Sequence, residues 1–414
     1  MSTISEVIFY VLTFLAVYVQ VFFFVTFFEN NKKIQNRKGS TKLKKYKGVT
    51  IIVPAFNEEA TLCKTVRSIL NLNYQKDKIK IILVNDGSKD NTLKMMNRFA
   101  KYPNIRVFNK ENGGKHTALN LGLENLETEY VGCLDADSIA DPDSLNRIMN
   151  VFENDPTIMA VTPSIVVTEP KNLLQHAQRA EYFMMVFIKK MFGFMGGIHV
   201  TPGPLTIFNR KVFDNLGHYK EAHKTEDMEI AFRMQKNNYP IEQCNDAYVY
   251  TNTPPTVKKL FKQRLRWTYG GINIMLDYKD MLFKKKYGNF SYFTIPTSVI
   301  SVFSIVFFVL KIIYDFGKFV ADQVLQIKTV GFSMSYTLPK IDLFFVDTGT
   351  FLFLSILIYI FVIASIMIGY KMVTGRYRIT KEFFYYFIFF VTISPFWLSK
   401  ALYNTLTSRA PDWR

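Results

Sequence analysis

Tyr130-Val131-Gly132-Cys133-Leu134-Asp135-Ala136-Asp137-Ser138 is a short apolar run that stops at two carboxylates one residue apart. Side chains alternate between faces along a strand, so Asp135 and Asp137 are expected to share a face. Acids at the carboxyl end of a buried strand stand where open α/β sheets take up ligands. Two carboxylates repel a phosphate unless a cation lies between them, and hard cations such as Mg²⁺ or Mn²⁺ prefer oxygen ligands. An Asp-x-Asp tripeptide is equally at home in a solvated turn, and Asp141-Pro142 just beyond is turn chemistry. The surrounding chain decides between the two.

Upstream, Val49–Asn57 reads as a buried strand running into a loop, and Glu58 and Glu59 open a helix pattern through Leu62, Val66, Ile69 and Leu70. Ile79–Val84 is a second strand, ending in Asn85-Asp86-Gly87-Ser88; Asn91–Phe99 follows as a helix and Ile105–Phe108 as a strand. Gly113-Gly114 leads into a helix from Lys115 to about Leu126. Strand and helix alternate as in a doubly wound, mostly parallel sheet, and near-continuous apolar strands fit a sheet covered on both faces. The chemically loaded residues Asn57, Glu58, Asp86, Asp135 and Asp137 all fall just past strand ends. No Gly-x-Gly-x-x-Gly follows the first strand and no Gly-Lys-Ser/Thr loop occurs, which argues against a dinucleotide fold and a P-loop ATPase.

The chain is 49% hydrophobic and carries 39 Phe, heavy for a soluble protein. Val7–Phe28 contains no charge and is long enough to cross a bilayer. It lacks a basic leader and a small-residue cleavage site, and so reads as an anchor. Asn289–Leu310, Thr348–Tyr370 and Phe383–Ser399 are further spans; the last is short and holds Pro395, which admits a tilted, broken or re-entrant segment. The net charge of +17 is concentrated beside these spans, which argues against nucleic acid as a partner. Lys32, Lys33, Arg37, Lys38, Lys42, Lys44, Lys45 and Lys47 follow the first span, Lys284–Lys286 precede the second, and Lys371, Arg376, Arg378 and Lys381 separate the last two. Such clusters mark the cytoplasmic side and suit anionic lipid headgroups. The loop Lys311–Asp347 balances Lys311, Lys318, Lys328 and Lys340 against Asp315, Asp322, Asp342 and Asp347. Four spans in a plasma membrane, with both termini outside and Asn30–Tyr287 in the cytoplasm, satisfy this asymmetry. Cys63, Cys133 and Cys244 are scattered, and neither a disulfide nor a zinc site is expected. Asn172–Met195 and Lys258–Asp277 mix Lys or Arg with large apolar residues, as amphipathic interface helices or as ordinary core helices do.

Two further motifs lie downstream: Lys224-Thr225-Glu226-Asp227 before a helix pattern, and Gln263-Arg264-Leu265-Arg266-Trp267 before Gly270-Gly271. With Asp86 and Asp135-Ala136-Asp137, these closely resemble the membrane-bound family 2 glycosyltransferases, which include cellulose, chitin, hyaluronan and poly-N-acetylglucosamine synthases. The resemblance runs from about Val49 to Gly271. Thr201-Pro202-Gly203-Pro204 and the ending Ala410-Pro411-Asp412-Trp413-Arg414 look most like the bacterial poly-β-1,6-N-acetylglucosamine synthases.

That resemblance implies a GT-A domain at 49–255. Around it stand an N-terminal transmembrane helix at 1–29, a basic linker at 30–48, interface helices at 256–288 and a C-terminal transmembrane region at 289–414. It implies that Pro54, Ala55, Asn57, Glu58 and Asp86 hold the uridine of a UDP-sugar, and that Lys115 approaches the diphosphate. Asp137 would hold Mg²⁺ or Mn²⁺, and Asp135 would contact the nucleotide-sugar or the metal. Asp227 would be the general base of an inverting transfer, supported by Glu226 and Thr225 on the acceptor side. Gln263, Arg264 and Arg266 would approach the diphosphate, where guanidinium groups match oxygens bidentately, and Trp267 would stack on the acceptor sugar. Contact with anionic lipid for the arginines and an interface anchor for Trp267 are the simpler alternatives. A processive, polymer-exporting enzyme, a transferase adding one sugar to a lipid, and a non-catalytic membrane component all carry such spans. A growing polysaccharide, membrane lipids and a small membrane subunit are the partners the resemblance suggests.

Overall fold

The computed structural model describes residues 3–36, 43–330 and 348–411. Helix α1 (Thr3–Asn36) leads to β1 (Val49–Ala55), α2 (Leu62–Leu70), β2 (Ile79–Asp86), α3 (Thr92–Asn97), β3 (Ile105–Lys110), α4 (Lys115–Glu124) and β4 (Tyr130–Cys133). Then follow β5 (Ile139–Ala140), α5 (Ser144–Asn154), β6 (Ala160–Val167), α6 (Leu173–Phe194), β7 (Ile207–Asn209), α7 (Lys211–Leu216), α8 (Glu226–Lys236) and β8 (Ile241–Thr251). Helices α9 (Val257–Asp277), α10 (Ile295–Val330), α11 (Thr348–Thr374) and α12 (Lys381–Leu406) complete the described chain.

The eight strands form one mixed sheet in the order β3-β2-β1-β4-β7-β6-β8-β5. The β3-β2-β1-β4 half is parallel, and β7 reverses direction against both β4 and β6. After β1 the chain winds outward through β2 and β3, then returns to the other side of β1 as β4. The carboxyl ends of β1 and β4 therefore flank the point where winding reverses, the place where such sheets leave a crevice. Burial on both faces follows the strand period. Ile51 and Val53 pack with Leu62, Val66 and Ile69 of α2 and Leu145 and Ile148 of α5. Ile52, Ile82 and Val84 pack with Ala118 and Leu119 of α4 and Phe187 and Met191 of α6. Phe23 and Phe27 of α1 join this second cluster, so the first helix is seated on the domain.

Several elements depart from the sequence reading. Strand β4 stops at Cys133, so Asp135 lies in an irregular segment and Asp137 in a turn. Their proximity comes from that loop and not from strand alternation. Helix α2 begins at Leu62, after a hydrogen-bonded turn in which Thr61 N and Leu62 N donate to Glu58 O. Helix α3 is shorter than Asn91–Phe99.

Among the described residues, four helices are long and apolar enough to cross a membrane: Ile4–Ile34, Phe290–Thr329, Phe353–Thr374 and Lys381–Leu406. The last runs unbroken through Pro395, against the expectation of a short or interrupted segment. Helix α10 continues to Val330, so the first part of the expected loop Lys311–Asp347 is helical; its remainder, 331–347, lies outside the described residues, as do Arg37, Lys38, Lys42 and 412–414. The two amphipathic helices bury their apolar sides against this C-terminal group. Ala180 and Phe183 of α6 cluster with Ile366 of α11 and Phe383 of α12. Leu265, Tyr269 and Ile272 of α9 cluster with Phe390, Trp397 and Ala401 of α12.

Candidate active site

Three loops past the carboxyl ends of β1, β2 and β4 meet at the crevice. Asn57, at a left-handed φ of 56°, turns the chain after β1. Its backbone N–H donates to Ser88 Oγ (2.9 Å) and its Oδ1 accepts from Lys89 N (2.8 Å). Glu58 N–H donates to Thr92 Oγ1 at 2.8 Å, so the loops after β1 and β2 are tied together. Pro54 and Ala55 are the buried last residues of β1.

Asp86 is buried, and its carboxylate is engaged by its own chain. Oδ1 accepts from Gly113 N and Oδ2 from Gly114 N, each at 3.0 Å, and Lys110 Nζ lies 2.7 Å away. It shapes the Gly113-Gly114 turn rather than presenting a free carboxylate. That turn starts α4, whose first residue, Lys115, points back to the acidic centre. Lys115 Nζ lies 2.6 Å from Asp135 Oδ1 and 3.5 Å from Glu226 Oε1. Burial works against its charge, but Asp135 and Glu226 outweigh it and hold the ammonium's pKa well above the usual lysine value.

The Asp135/Asp137 pair behaves as a like-charge site. Burial among the cleft walls, then the charges of Asp135 and Glu58, raise the Asp137 pKa to about 6. Because the Asp137 side chain still opens to solvent, the like-charge part follows most directly from the geometry. Among the described residues no cluster of three or more His, Cys, Asp or Glu forms a ready metal cage. The donor set is two hard carboxylates whose repulsion a cation would relieve, with room for ligands from outside the protein. It fits an oxygen-seeking divalent ion held jointly with a phosphate group.

Glu226 and Asp227 enter from the start of α8. Glu226 is 5% exposed, with Lys115 as its ionic partner. Burial and then Glu226 raise the Asp227 pKa to about 6, opposed by Lys115 and Arg266. Asp227 Oδ1 accepts from Met228 N at 3.0 Å, and its backbone carbonyl accepts from Thr201 N (3.1 Å) and Oγ1 (2.8 Å). The Thr201-Pro202-Gly203-Pro204 loop thus locks onto the base-bearing turn. Gly203 lets this loop approach the ion pair closely: a Cβ would sit 2.7 Å from both Asp135 Oδ1 and Lys115 Nζ, and those side chains would have to shift. Gly270 plays the same part on α9, where a Cβ would collide with Thr225.

A void of about 10 Å³ lined by Lys115, Cys133, Thr201, Gly203, Glu226 and Asp227 marks where β4, the 201–204 loop and α8 converge. A larger cleft of about 760 Å³ has Lys220, His223, Lys224, Arg233 and Tyr278 among its lining and holds none of the Asp135–Asp137 chemistry.

The five-residue motif on α9 splits. Arg266 faces the site: its charge acts on Asp227, and Nη1 donates to Lys224 O at 3.4 Å. Arg264 is turned away from the acids and pairs with Glu181 of α6, Nη2 to Oε2 2.6 Å. Gln263 Oε1 is buried without a hydrogen-bond partner, and Trp267 is half-buried beneath the Arg264 guanidinium, 4.3 Å from its ring centre. The structure therefore gathers Glu58, Lys115, Asp135, Asp137, Glu226, Asp227 and Arg266, while Asp86 and Arg264 stand behind them.

Four residues on or after α6 escaped the sequence reading. Glu181 pairs with Arg264. Tyr182 has its pKa raised to about 12 by burial, with Arg264 opposing and Glu181 and Asp137 adding to the rise. Burial lowers Lys189 to about 7, opposed by Asp227, and burial with Lys189 lowers His199 to about 4. The only advance signal was a lysine pair, Lys189-Lys190, in a Phe- and Met-rich helix.

Residues 50–217 match the model of glycosyl transferase family 2. This segment is a family 2 glycosyl transferase domain. The match ends before Thr225-Glu226-Asp227 and Gln263–Trp267, so those motifs lie outside it. The chain is 31% identical over 243 residues to a poly-β-1,6-N-acetyl-D-glucosamine synthase of Staphylococcus aureus, covering 58% of each protein. It is also 31% identical over 242 residues to the synthase of that name from Staphylococcus epidermidis, again 58% of each. The chain thus aligns with a little over half the length of these relatives. A mannosyltransferase from Pyrobaculum calidifontis, solved with GDP-mannose and Mn²⁺, superimposes with a TM-score of 0.51 at 18% identity over 71% of this chain and 86% of its own. That likeness shows the shared fold of the family 2 domain.

Proposed function

We propose that this chain is an inverting β-glycosyltransferase that builds a polysaccharide from a UDP-sugar, with UDP-N-acetylglucosamine the donor and poly-β-1,6-N-acetylglucosamine the product. The observation that carries it is the single cluster of Lys115, Asp135, Glu226 and Asp227 at the sheet's reversal point, with Arg266 facing it from α9. The staphylococcal relatives support the product assignment.

The loops after β1 and β2 and the Gly113-Gly114 turn would cradle the uridine, while Lys115 and Arg266 would face the diphosphate. Asp137 and Asp135 would hold a divalent ion, Mg²⁺ or Mn²⁺ alike by donor type; when bound, such an ion supplies countercharge for the departing diphosphate. Asp227 takes the proton from the acceptor hydroxyl as that oxygen attacks the anomeric carbon from the face opposite the diphosphate. The bond from that carbon to the diphosphate oxygen breaks, and UDP leaves with the electron pair. One displacement with one base inverts the anomer, so an α-linked donor gives a β-glycoside. Trp267 would stack on the acceptor sugar, with Thr225 and Glu226 supporting the base. The helices α1 and α10–α12 around the site favour export of the growing chain across the plasma membrane, with the family 2 domain in the cytoplasm beside the Lys- and Arg-rich ends of the spans and both termini outside. Membrane lipids, and by the resemblance a small membrane subunit, are its expected partners.

The test is membrane vesicles carrying the full chain, Mg²⁺ or Mn²⁺, and each radiolabelled UDP-sugar in turn. Long product from UDP-N-acetylglucosamine alone, cleaved by a β-1,6-specific hydrolase, supports the proposal. A single labelled lipid, or incorporation only from another donor, overturns it.

A further inference from the structure

The two arginines of Gln263-Arg264-Leu265-Arg266-Trp267 do different work. Arg266 faces Asp227, whereas Arg264 is 5% exposed and points across to α6. There Glu181 Oε2 receives Nη2 at 2.6 Å, and the Glu181 side chain is itself 14% exposed. The same guanidinium stands over Trp267, its central carbon 4.3 Å from the indole ring centre, and 6.0 Å from the centre of the Phe390 ring of α12. Arg264 and Trp267 are three residues apart, hence on one helical face, so the stack is built into α9 itself. What α9 cannot fix alone is the guanidinium's rotation. A long arginine side chain samples many rotamers, and an anchored planar fork loses that freedom before any ligand arrives.

The pair is more than a packing bridge in two respects. A buried ion pair is often no more stabilising than apolar residues of the same volume, so packing alone gives weak reason for charges here. The adjoining residue on α6, Tyr182, is within electrostatic reach of both Arg264 and Asp137. The guanidinium occupies one face of the half-buried indole, so an apolar C–H surface of the kind a pyranose presents would have to meet the other.

We propose that Glu181 is a positioning residue for the acceptor sugar: it clamps the Arg264 guanidinium against Trp267 and so fixes the tilt at which the indole meets the saccharide. This rests on the acceptor role proposed above for Trp267. Glu181 touches neither donor nor acceptor and acts through Arg264.

The test uses the full chain in membrane vesicles, UDP-N-acetylglucosamine as donor and an added β-linked N-acetylglucosamine tetramer as acceptor. Glu181→Gln is expected to raise the acceptor KM about tenfold and leave the donor KM within about twofold. Arg264→Lys, which keeps the charge but not the planar stack, should do the same. Glu181→Asp should recover part of the loss, and it serves as the second variant should Glu181→Gln fold poorly. In protein labelled with 5-fluorotryptophan, the Trp267 resonance (assigned by Trp267→Phe) should move in Glu181→Gln. An unchanged acceptor KM with an unmoved resonance overturns the clamp, and so does an equal loss in both KM values. If Trp267→Ala also leaves the acceptor KM unchanged, the acceptor role of Trp267 falls with it; if that variant raises it while Glu181→Gln does not, the clamp alone falls.

Discussion

Lys115 Nζ sits 2.6 Å from Asp135 Oδ1, joining the first residue of α4 to the loop after β4 across the crevice. The same ammonium reaches the other half of the acidic centre, with Glu226 Oε1 3.5 Å away on α8. Lys115→Met removes that charge and leaves Asp135, Asp137, Glu226 and Asp227 to repel one another. Turnover should fall by roughly a hundredfold, and the acid limb of the pH profile should move upward, because each remaining carboxylate loses a partner that favours its ionised form. Steady-state rates from pH 5 to 9 check both; an unmoved acid limb would contradict the arrangement.

Asp227 has its pKa raised to about 6 by burial and Glu226, and a base works only when ionised. Initial rates should therefore drop about tenfold per unit as pH falls below about 6. Asp227→Asn should cost about 10³-fold or more in polymerisation while UDP binding, measured by calorimetry, survives. Stability has the opposite sign. A carboxyl whose folded pKa lies above its unfolded value binds its proton more tightly when folded, so the protein loses stability as pH rises from about 4 through 6. At pH 7 the ionised group is a burden that asparagine lacks. Asp227→Asn should be more stable there by about 1 kcal/mol, discounted for its partial exposure, and no more stable below pH 4. Thermal melts without divalent ion at the two pH values make the comparison.

Gly270 separates α9 from Thr225 with no room for a methyl group, whereas a Cβ at Gly271 would stand 3.6 Å from Met228 Sδ, an ordinary contact. Gly270→Ala should push the start of α8, and with it Asp227, out of place. The expected result is a loss of about 1–3 kcal/mol in stability and at least tenfold in turnover. Gly271→Ala should lie within about 0.5 kcal/mol of the parent and keep its activity. Equal effects at the two positions would show that the close approach to Thr225 does not matter.

The parallel half of the sheet was legible because β1, β2 and β4 are apolar runs between turn residues, a pattern that survives without knowledge of partners. The approximate positions of Asp135, Lys115 and Asp227 followed, since each stands next to a strand end or helix start. The β4 boundary did not, because Leu134 and Ala136 continue the apolar run while the backbone has already left the sheet at Cys133. The reversed strand β7, three residues long, is too short to show a period. Arg264 and Glu181 were invisible as a pair. They are far apart in the chain, and what joins them is the packing of α6 and α9 against α12, which no local pattern encodes. Asp86 was visible as a strand-end acid, but its hold on Gly113 and Gly114 depends on β3 pairing beside β2.

Asp86 gives the last prediction. Both its oxygens accept backbone N–H groups of the Gly113-Gly114 turn at 3.0 Å, and Lys110 completes the set at 2.7 Å. Asp86→Asn replaces one accepting oxygen with an N–H₂ group that faces another donor and leaves the Lys110 ammonium without its carboxylate partner. A buried donor without an acceptor costs about 1–3 kcal/mol, so melts should show a loss of that order. The turn it releases is the entry to α4, and a displaced Lys115 no longer reaches Asp135. UDP affinity should consequently fall about tenfold, and Lys115→Met should add little in the Asp86→Asn background, because the first substitution has already uncoupled the ammonium. Additive losses in the double variant would show that Asp86 and Lys115 act separately.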